Sequence, residues 1–119
     1  MTTKAVRGAV QLDADTPEEM RQRIGELLRQ LMERNVLAEH DLISIQFTQT
    51  QDLISANPAS CLRYFGYAEV PLFCSQEPRY HGSLPRVVRT LVTFRSSTPA
   101  PGRPVYLNGA ENLRTDIAR

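Results

Sequence analysis

The sequence predicts an α/β sandwich in which helices cover one face of a mixed β-sheet. Three observations carry that prediction. Two stretches alternate apolar residues with period two, one long amphipathic helix carries its own start signal, and the chain runs strand, helix, strand, helix, then strands, without repeats or low-complexity segments. The first alternating stretch, Lys4 to Leu12, puts Val6, Val10 and Leu12 on one face and Ala5, Arg7 and Ala9 on the other, with Gly8 permitting close approach of backbone or ligand. Thr16-Pro17-Glu18-Glu19 then starts a helix: Thr16 caps it, Pro17 suits its first position and Glu19 completes a capping box. Its apolar stripe is Met20, Ile24, Leu27, Leu28, Leu31 and Met32, with Arg21, Glu26, Arg29 and Glu33 elsewhere; this stripe reads as core and not as a cofactor box. A strand follows from about Leu42 to Thr48, with Ile43, Ile45 and Phe47 on one face. Asn57 caps and Pro58 opens a short helix to Phe65, which Gly66 ends. Val70 to Cys74 reads as a short strand, and Glu77 to Leu84 as a loop rich in turn formers. In the second alternating stretch, Val87 to Phe94, Val88, Thr90, Val92 and Phe94 share one face while Val87, Arg89, Leu91 and Thr93 share the other. A proline-rich surface loop, Thr98 to Pro104, leads to a last short strand, Val105-Tyr106-Leu107. The tail from Glu111 to Arg119 is polar, and residues 115–119 at least are expected to be mobile.

At 119 residues the chain is expected to be one domain, large enough for a core but marginal by itself, so an oligomer that buries more surface is expected. A sheet covered by helices on one face must bury its other face, and closing several sheets around a common axis in a trimer would do so. The net charge of +1 gives no electrostatic case for nucleic acid or an anionic membrane. No apolar run approaches the roughly 18 residues of a membrane span, and the N-terminus has no signal-peptide core, so the expected address is the cytosol. Cys61 and Cys74 are expected as reduced thiols, without metal-ligand spacing. His40 and His81 stand alone and read as surface or loop residues, so neither a metal nor a cofactor is expected.

Arg7 and Arg89 interrupt stretches that otherwise read as buried strand. A guanidinium cannot lose its proton, and burying it costs on the order of several kcal/mol unless a carboxylate or phosphate meets it. Either residue could instead be an edge-strand arginine reaching water, or half of a structural salt bridge; two together favour an anion site. The remaining polar candidates are Cys74-Ser75-Gln76-Glu77, read as just after one strand, Tyr106 in the last strand and Arg63 on the short helix. Each also has a plain structural role open to it: Glu77 as partner to a surface arginine, Tyr106 as a strand aromatic, Cys74 as a small buried hydrophobe. There is no Ser/His/Asp set, no activated Cys/His pair and no glycine-rich phosphate loop, which argues against covalent, phosphoryl-transfer and nucleotide chemistry. What remains is a site that binds a small polyanion and stabilises charge.

The segments Val6-Arg7-Gly8-Ala9, Asp15-Thr16-Pro17-Glu18-Glu19, Cys74-Ser75-Gln76-Glu77, Gly82-Ser83-Leu84-Pro85-Arg86-Val87-Val88-Arg89 and Val105-Tyr106-Leu107 resemble the AroH class of chorismate mutase, collinearly from about residue 4 to 116. Each piece is short; their order and spacing are specific. The resemblance implies a homotrimer whose sheets close a pseudo-α/β barrel, with active sites at the subunit interfaces. It implies rearrangement of chorismate to prephenate, the committed step toward phenylalanine and tyrosine, by a pericyclic reaction without proton transfer, covalent intermediate or cofactor. Carried onto matching positions, it implies that Arg89 donates to the ether oxygen and a carboxylate, and that Arg7 and Tyr106 hold the enolpyruvyl carboxylate. Glu77 would accept from the ring hydroxyl and complement the cationic ring carbon, and Cys74 would approach that hydroxyl. Arg63 and Arg114 would draw in and retain the ring carboxylate, with Ala59, Phe73 and Leu113 lining the pocket.

The chain departs from the family pattern at Asn57, where an aromatic is common, at Phe73, where a small residue is usual, at Asn108-Gly109, and in the loop Pro78-Arg79-Tyr80-His81. These changes bear on the pocket wall and affinity, not on the charged set. Two other functions compete: a non-catalytic trimer that binds a small carboxylate, and an imine hydrolase of the Rid type, whose trimers keep one interface arginine. A carboxylate holder needs only one or two cations, whereas Glu77 with Arg7 and Arg89 supplies both ends of a charge distribution.

Overall fold

A computed structural model of the chain describes residues 1–113, and the two alternating stretches lie side by side at the heart of its five-stranded sheet. In chain order the elements are β1 (Thr2–Gln11), α1 (Pro17–Arg34), β2 (Leu42–Gln49), α2 (Pro58–Tyr64), β3 (Leu72–Gln76), β4 (Val87–Ser96) and β5 (Val105–Leu107), with short 3-10 turns at Glu39–Asp41 and Ala110–Leu113. The strand order is β3-β2-β4-β1-β5. Strand β4 runs antiparallel to both β1 and β2, while β3 and β5 run parallel to β2 and β1. The sheet is therefore mixed, as expected, and its two central seams are the long antiparallel ones.

Local chemistry sets the helices. The Thr16 hydroxyl accepts from the Glu19 N–H at 3.1 Å, with Pro17 at the first helical position. Glu19 does not close the capping box that the sequence suggested. Its Oε2 accepts instead from the Asp13 N–H and from Arg23 Nε, both at 2.9 Å. The cation one turn along makes the stronger hydrogen bond, so it draws the carboxylate away from the neutral Thr16 amide. Ile24, Leu27, Leu28 and Leu31 are fully buried against Val6, Val10, Leu12, Val88 and Val92. A Cβ at Gly8 would stand 2.9 Å from Leu31 Cδ1, so the close approach at this glycine is by α1 and not by a ligand. Asn57 Oδ1 caps α2 by accepting from the Ala59 and Ser60 N–H groups at 2.8 and 3.1 Å, and Gly66 ends it at φ 93°.

Two strands differ from the sequence reading. The β2–β4 ladder shifts register between Leu42 and Ser44, which turns Leu42 into the core with Ile45 and Phe47 and leaves Ile43 half-buried beside it. An extra residue reverses strand parity, and no local signal marks it. Strand β3 starts two residues later than the expected Val70 and continues to Gln76, so Cys74 sits within the strand, paired with Phe47. The Ala110–Leu113 turn lies where the polar tail was expected to begin; the rest of that expectation, Arg114 included, falls outside the described residues. Among the described residues no helix is long and apolar enough to cross a membrane. Both helices pack on one face of the sheet. The opposite face is uncovered, with Phe73 67% exposed and Leu91 36% exposed.

Candidate active site

The uncovered face carries the charged residues in register. Arg89 on β4 is directly opposite Ala9 on β1 and Thr48 on β2; Tyr106 on β5 pairs with Ala9, and Ser75 on β3 with Thr48. The pleat therefore lines up Ser75, Thr48, Arg89, Ala9 and Tyr106 in one row across the sheet. In the next row stand Phe73, Gln46, Leu91 and Arg7. Arg7 is thus diagonal to Arg89, about 7–8 Å away at the backbone. Ala9 is only 2% exposed although it faces the uncovered side, where it stands between Arg89 and Tyr106 in the row.

Glu77, the first residue beyond β3, donates its N–H to Gln49 O at 2.8 Å and turns its carboxylate onto this face. Its Oε2 accepts from Arg89 Nε at 2.7 Å and its Oε1 from the Thr48 hydroxyl at 2.6 Å. The Glu77 side chain is 12% exposed and that of Arg89 40% exposed, so the pair is seated in the sheet with the outer part of the guanidinium open. Arg89 Nη2 also donates to Tyr80 Oη at 3.4 Å, from the loop after β3. Arg89 thus finds its anionic partner within its own chain. Arg7 is exposed and has no carboxylate partner among the described residues. It borders an opening of about 450 Å³ with Ala5, Leu91, Gly102 and Pro104, and Glu77 borders another of about 390 Å³ with Thr50, Asp52, Arg79 and Ser83.

Other residues singled out from the sequence lie elsewhere in the chain. Cys74 faces the helices, where it packs against the core, and its thiol donates to Gln49 Oε1 at 3.3 Å. Burial pushes the Cys74 thiol pKa up, so it stays protonated at neutral pH and is a poor nucleophile. Ala59 packs against the same core, and Arg63, exposed on α2, donates to Tyr67 O at 2.5 Å. Leu113 is half-buried at the end of the last turn. A single chain therefore gathers Arg7, Arg89, Glu77, Tyr106 and Phe73 on one face and holds Ala59, Arg63 and Cys74 on the other side of the sheet. Thr48 and Tyr80, which touch the charged pair, were not singled out from the sequence. Their only signal is parity along β2 for Thr48 and an unusual loop for Tyr80. Among the described residues no cluster of His, Cys, Asp and Glu is placed to hold a metal ion.

A guanidinium braced by a carboxylate, with a second guanidinium one step away and a phenol in the same row, equips a site to bind a small dianion and stabilise charge without a nucleophile. The sequence matches the family described as chorismate mutase type I over residues 3–117, and the chain belongs to that family. It is 40% identical to a chorismate mutase AroH of Thermus thermophilus over 116 residues, covering 96% of this chain and 95% of the relative. With the chorismate mutase AroH of Bacillus subtilis it shares 32% identity over 120 residues, covering 99% and 94%. The solved structure of a chorismate mutase from Clostridium thermocellum superimposes with a TM-score of 0.87 at 36% identity, covering 91% of this chain and 97% of that one. The family makes the chain an isomerase.

Proposed function

We propose that the chain converts chorismate to prephenate at the uncovered sheet face, with Arg89 and Glu77 at the centre of the reaction. The observation that carries this assignment is the Arg89–Glu77 pair at 2.7 Å with Arg7 diagonal to it on the same face. In the rearrangement an ether C–O bond breaks as a C–C bond forms, without proton transfer. The enzyme must hold a flexible dianion in its chair-like reactive conformer and stabilise the negative charge that grows on the ether oxygen. Arg89 keeps Nε on Glu77 and offers its outer N–H groups to the ether oxygen and a carboxylate. Arg7 and Tyr106 hold the enolpyruvyl carboxylate. Glu77 accepts from the ring hydroxyl and complements the positive charge that develops on the ring.

The assembly that completes the site is a homotrimer. Two features support it: the sheet face that bears the charged row is uncovered and apolar at Phe73 and Leu91, and Ala59, Arg63 and Cys74 lie on the opposite side, where only a neighbouring copy could bring their equivalents to Arg89. Arg63 and Arg114 then serve the ring carboxylate, with Ala59 and Leu113 lining the pocket and Cys74 approaching the ring hydroxyl. The reaction belongs to aromatic amino-acid synthesis, with the cytosol as its proposed location. The test is the loss of chorismate's ultraviolet absorbance on adding purified protein, with Arg89→Ala as matched control. Rapid loss with the wild type alone is expected; no loss from a folded trimer would overturn the assignment in favour of a carboxylate-binding protein.

A further inference from the structure

We propose that Thr48 is a positioning residue for this reaction: its hydroxyl fixes the plane of the Glu77 carboxylate and, through it, the Arg89 guanidinium. The assignment rests on the roles just given to Glu77 and Arg89. Thr48 lies between them in the sheet, opposite Arg89 on β4 and Ser75 on β3. An ionised carboxylate only accepts, so in the 2.6 Å contact the Thr48 hydroxyl is the donor. Glu77 is anchored at its backbone by Gln49 O, but its side chain has several free torsions beyond that anchor. One contact, Oε2 to Arg89 Nε, would leave the carboxylate able to rotate about that bond. The second, Oε1 to Thr48, comes from a different strand and removes the rotation. Each oxygen retains a lone pair for a further donor, which is what a ring hydroxyl requires. Threonine suits the task because β-branching restricts its χ1 while the strand sets its direction.

A purely structural Thr48 would make opposite demands. Valine keeps its shape and strand preference but lacks the hydroxyl; serine keeps the hydroxyl but lacks the methyl group. The experiment compares Thr48→Val, Thr48→Ser and wild type in kcat, KM and thermal unfolding, and repeats Thr48→Val in a Glu77→Ala background. Loss of one charge-assisted hydrogen bond corresponds to a fall in kcat of about ten- to a hundredfold for Thr48→Val, with KM changed by less than about threefold. Thr48→Ser should keep kcat within about twofold of wild type, and with Glu77 already removed, Thr48→Val should cost less than about twofold more. If Thr48→Val lowers the unfolding temperature, Thr48→Ala is read in its place. Wild-type kcat in the valine variant, an equal loss in the serine variant, or an undiminished loss without Glu77 would each overturn the positioning role alone. A wild type inactive on chorismate would remove the underlying assignment and the role with it.

Discussion

Replacing Arg89 by lysine separates two tasks that one guanidinium performs together. Nε is committed to Glu77 Oε2 at 2.7 Å, and Nη2 reaches Tyr80 Oη at 3.4 Å, so the planar fork spans from the sheet outward to the loop. An ammonium is a single point of charge on a flexible stem. Kept on Glu77, it cannot reach the ether oxygen; moved outward, it leaves a carboxylate that is 12% exposed with Thr48 as its remaining partner, facing a dianionic substrate. Either way one preorganised donor is lost at the atom where charge develops, which costs about a hundred- to a thousandfold in kcat. Arg89→Ala removes the donor and the countercharge together and should lose at least as much. Arg89→Lys should change stability by at most about 1 kcal/mol, because Arg89 is 40% exposed and a cation stays near Glu77, whereas Arg89→Ala leaves that carboxylate, only 12% exposed, without a countercharge and should cost more. The assay is initial-rate loss of chorismate absorbance over a range of substrate concentrations, with thermal unfolding of each variant alongside. Near-normal turnover by Arg89→Lys would refute the role assigned to the fork.

The remaining predictions concern packing, acid stability and the tail. Gly8→Ala places a Cβ 2.9 Å from Leu31 Cδ1 and 3.1 Å from Thr90 Cγ2, both fixed in the core, and should cost about 1–3 kcal/mol in urea unfolding; an unchanged midpoint would show that α1 gives way freely. Glu19 has its pKa held below the ordinary 4.5 by the hydrogen bond from the Asp13 N–H first and by Arg23 second. Its stabilisation is therefore present above that ordinary value and lost as pH falls through the lowered one. Glu19→Gln should flatten this part of the acid unfolding curve, and an identical curve would refute the linkage. Arg114→Ala should mainly raise KM, as loss of a retaining contact does, and a large fall in kcat at unchanged KM would overturn that role.

Much of the fold is legible in short stretches of sequence because the forces that set it are local. Thr16 with Pro17 and Asn57 with Pro58 start helices through contacts made within one turn. The alternation along β1 and β4 survives because each strand keeps one face on the helix-covered core and the other away from it. The misreadings arise where a distant partner intervenes. Leu42 replaces Ile43 in the core because the ladder with β4 slips there, and Glu19 abandons its cap because Arg23 and the Asp13 amide compete for it. Cys74 turns toward the helices because β3 takes its register from Phe47 on β2.

The same division runs through the candidate site. Arg7 and Arg89 were legible as charges that break an apolar alternation, and the order and spacing of the motifs around them carried the family resemblance. Which groups those arginines meet is a property of the strand order. Glu77 and Arg89 are 12 positions apart and Glu77 and Thr48 29 apart, and they converge because β3, β2 and β4 are neighbours in the sheet. Sequence by itself thus determined the residue types, the helices and the faces of the central strands, since period, capping and propensity act over a few residues. Only the tertiary structure decided that Thr48 braces Glu77, that Tyr80 reaches Arg89, and that Cys74 and Arg63 stand apart from both. Hydrogen bonds between side chains on different strands depend on register, and register is settled only when the whole sheet packs.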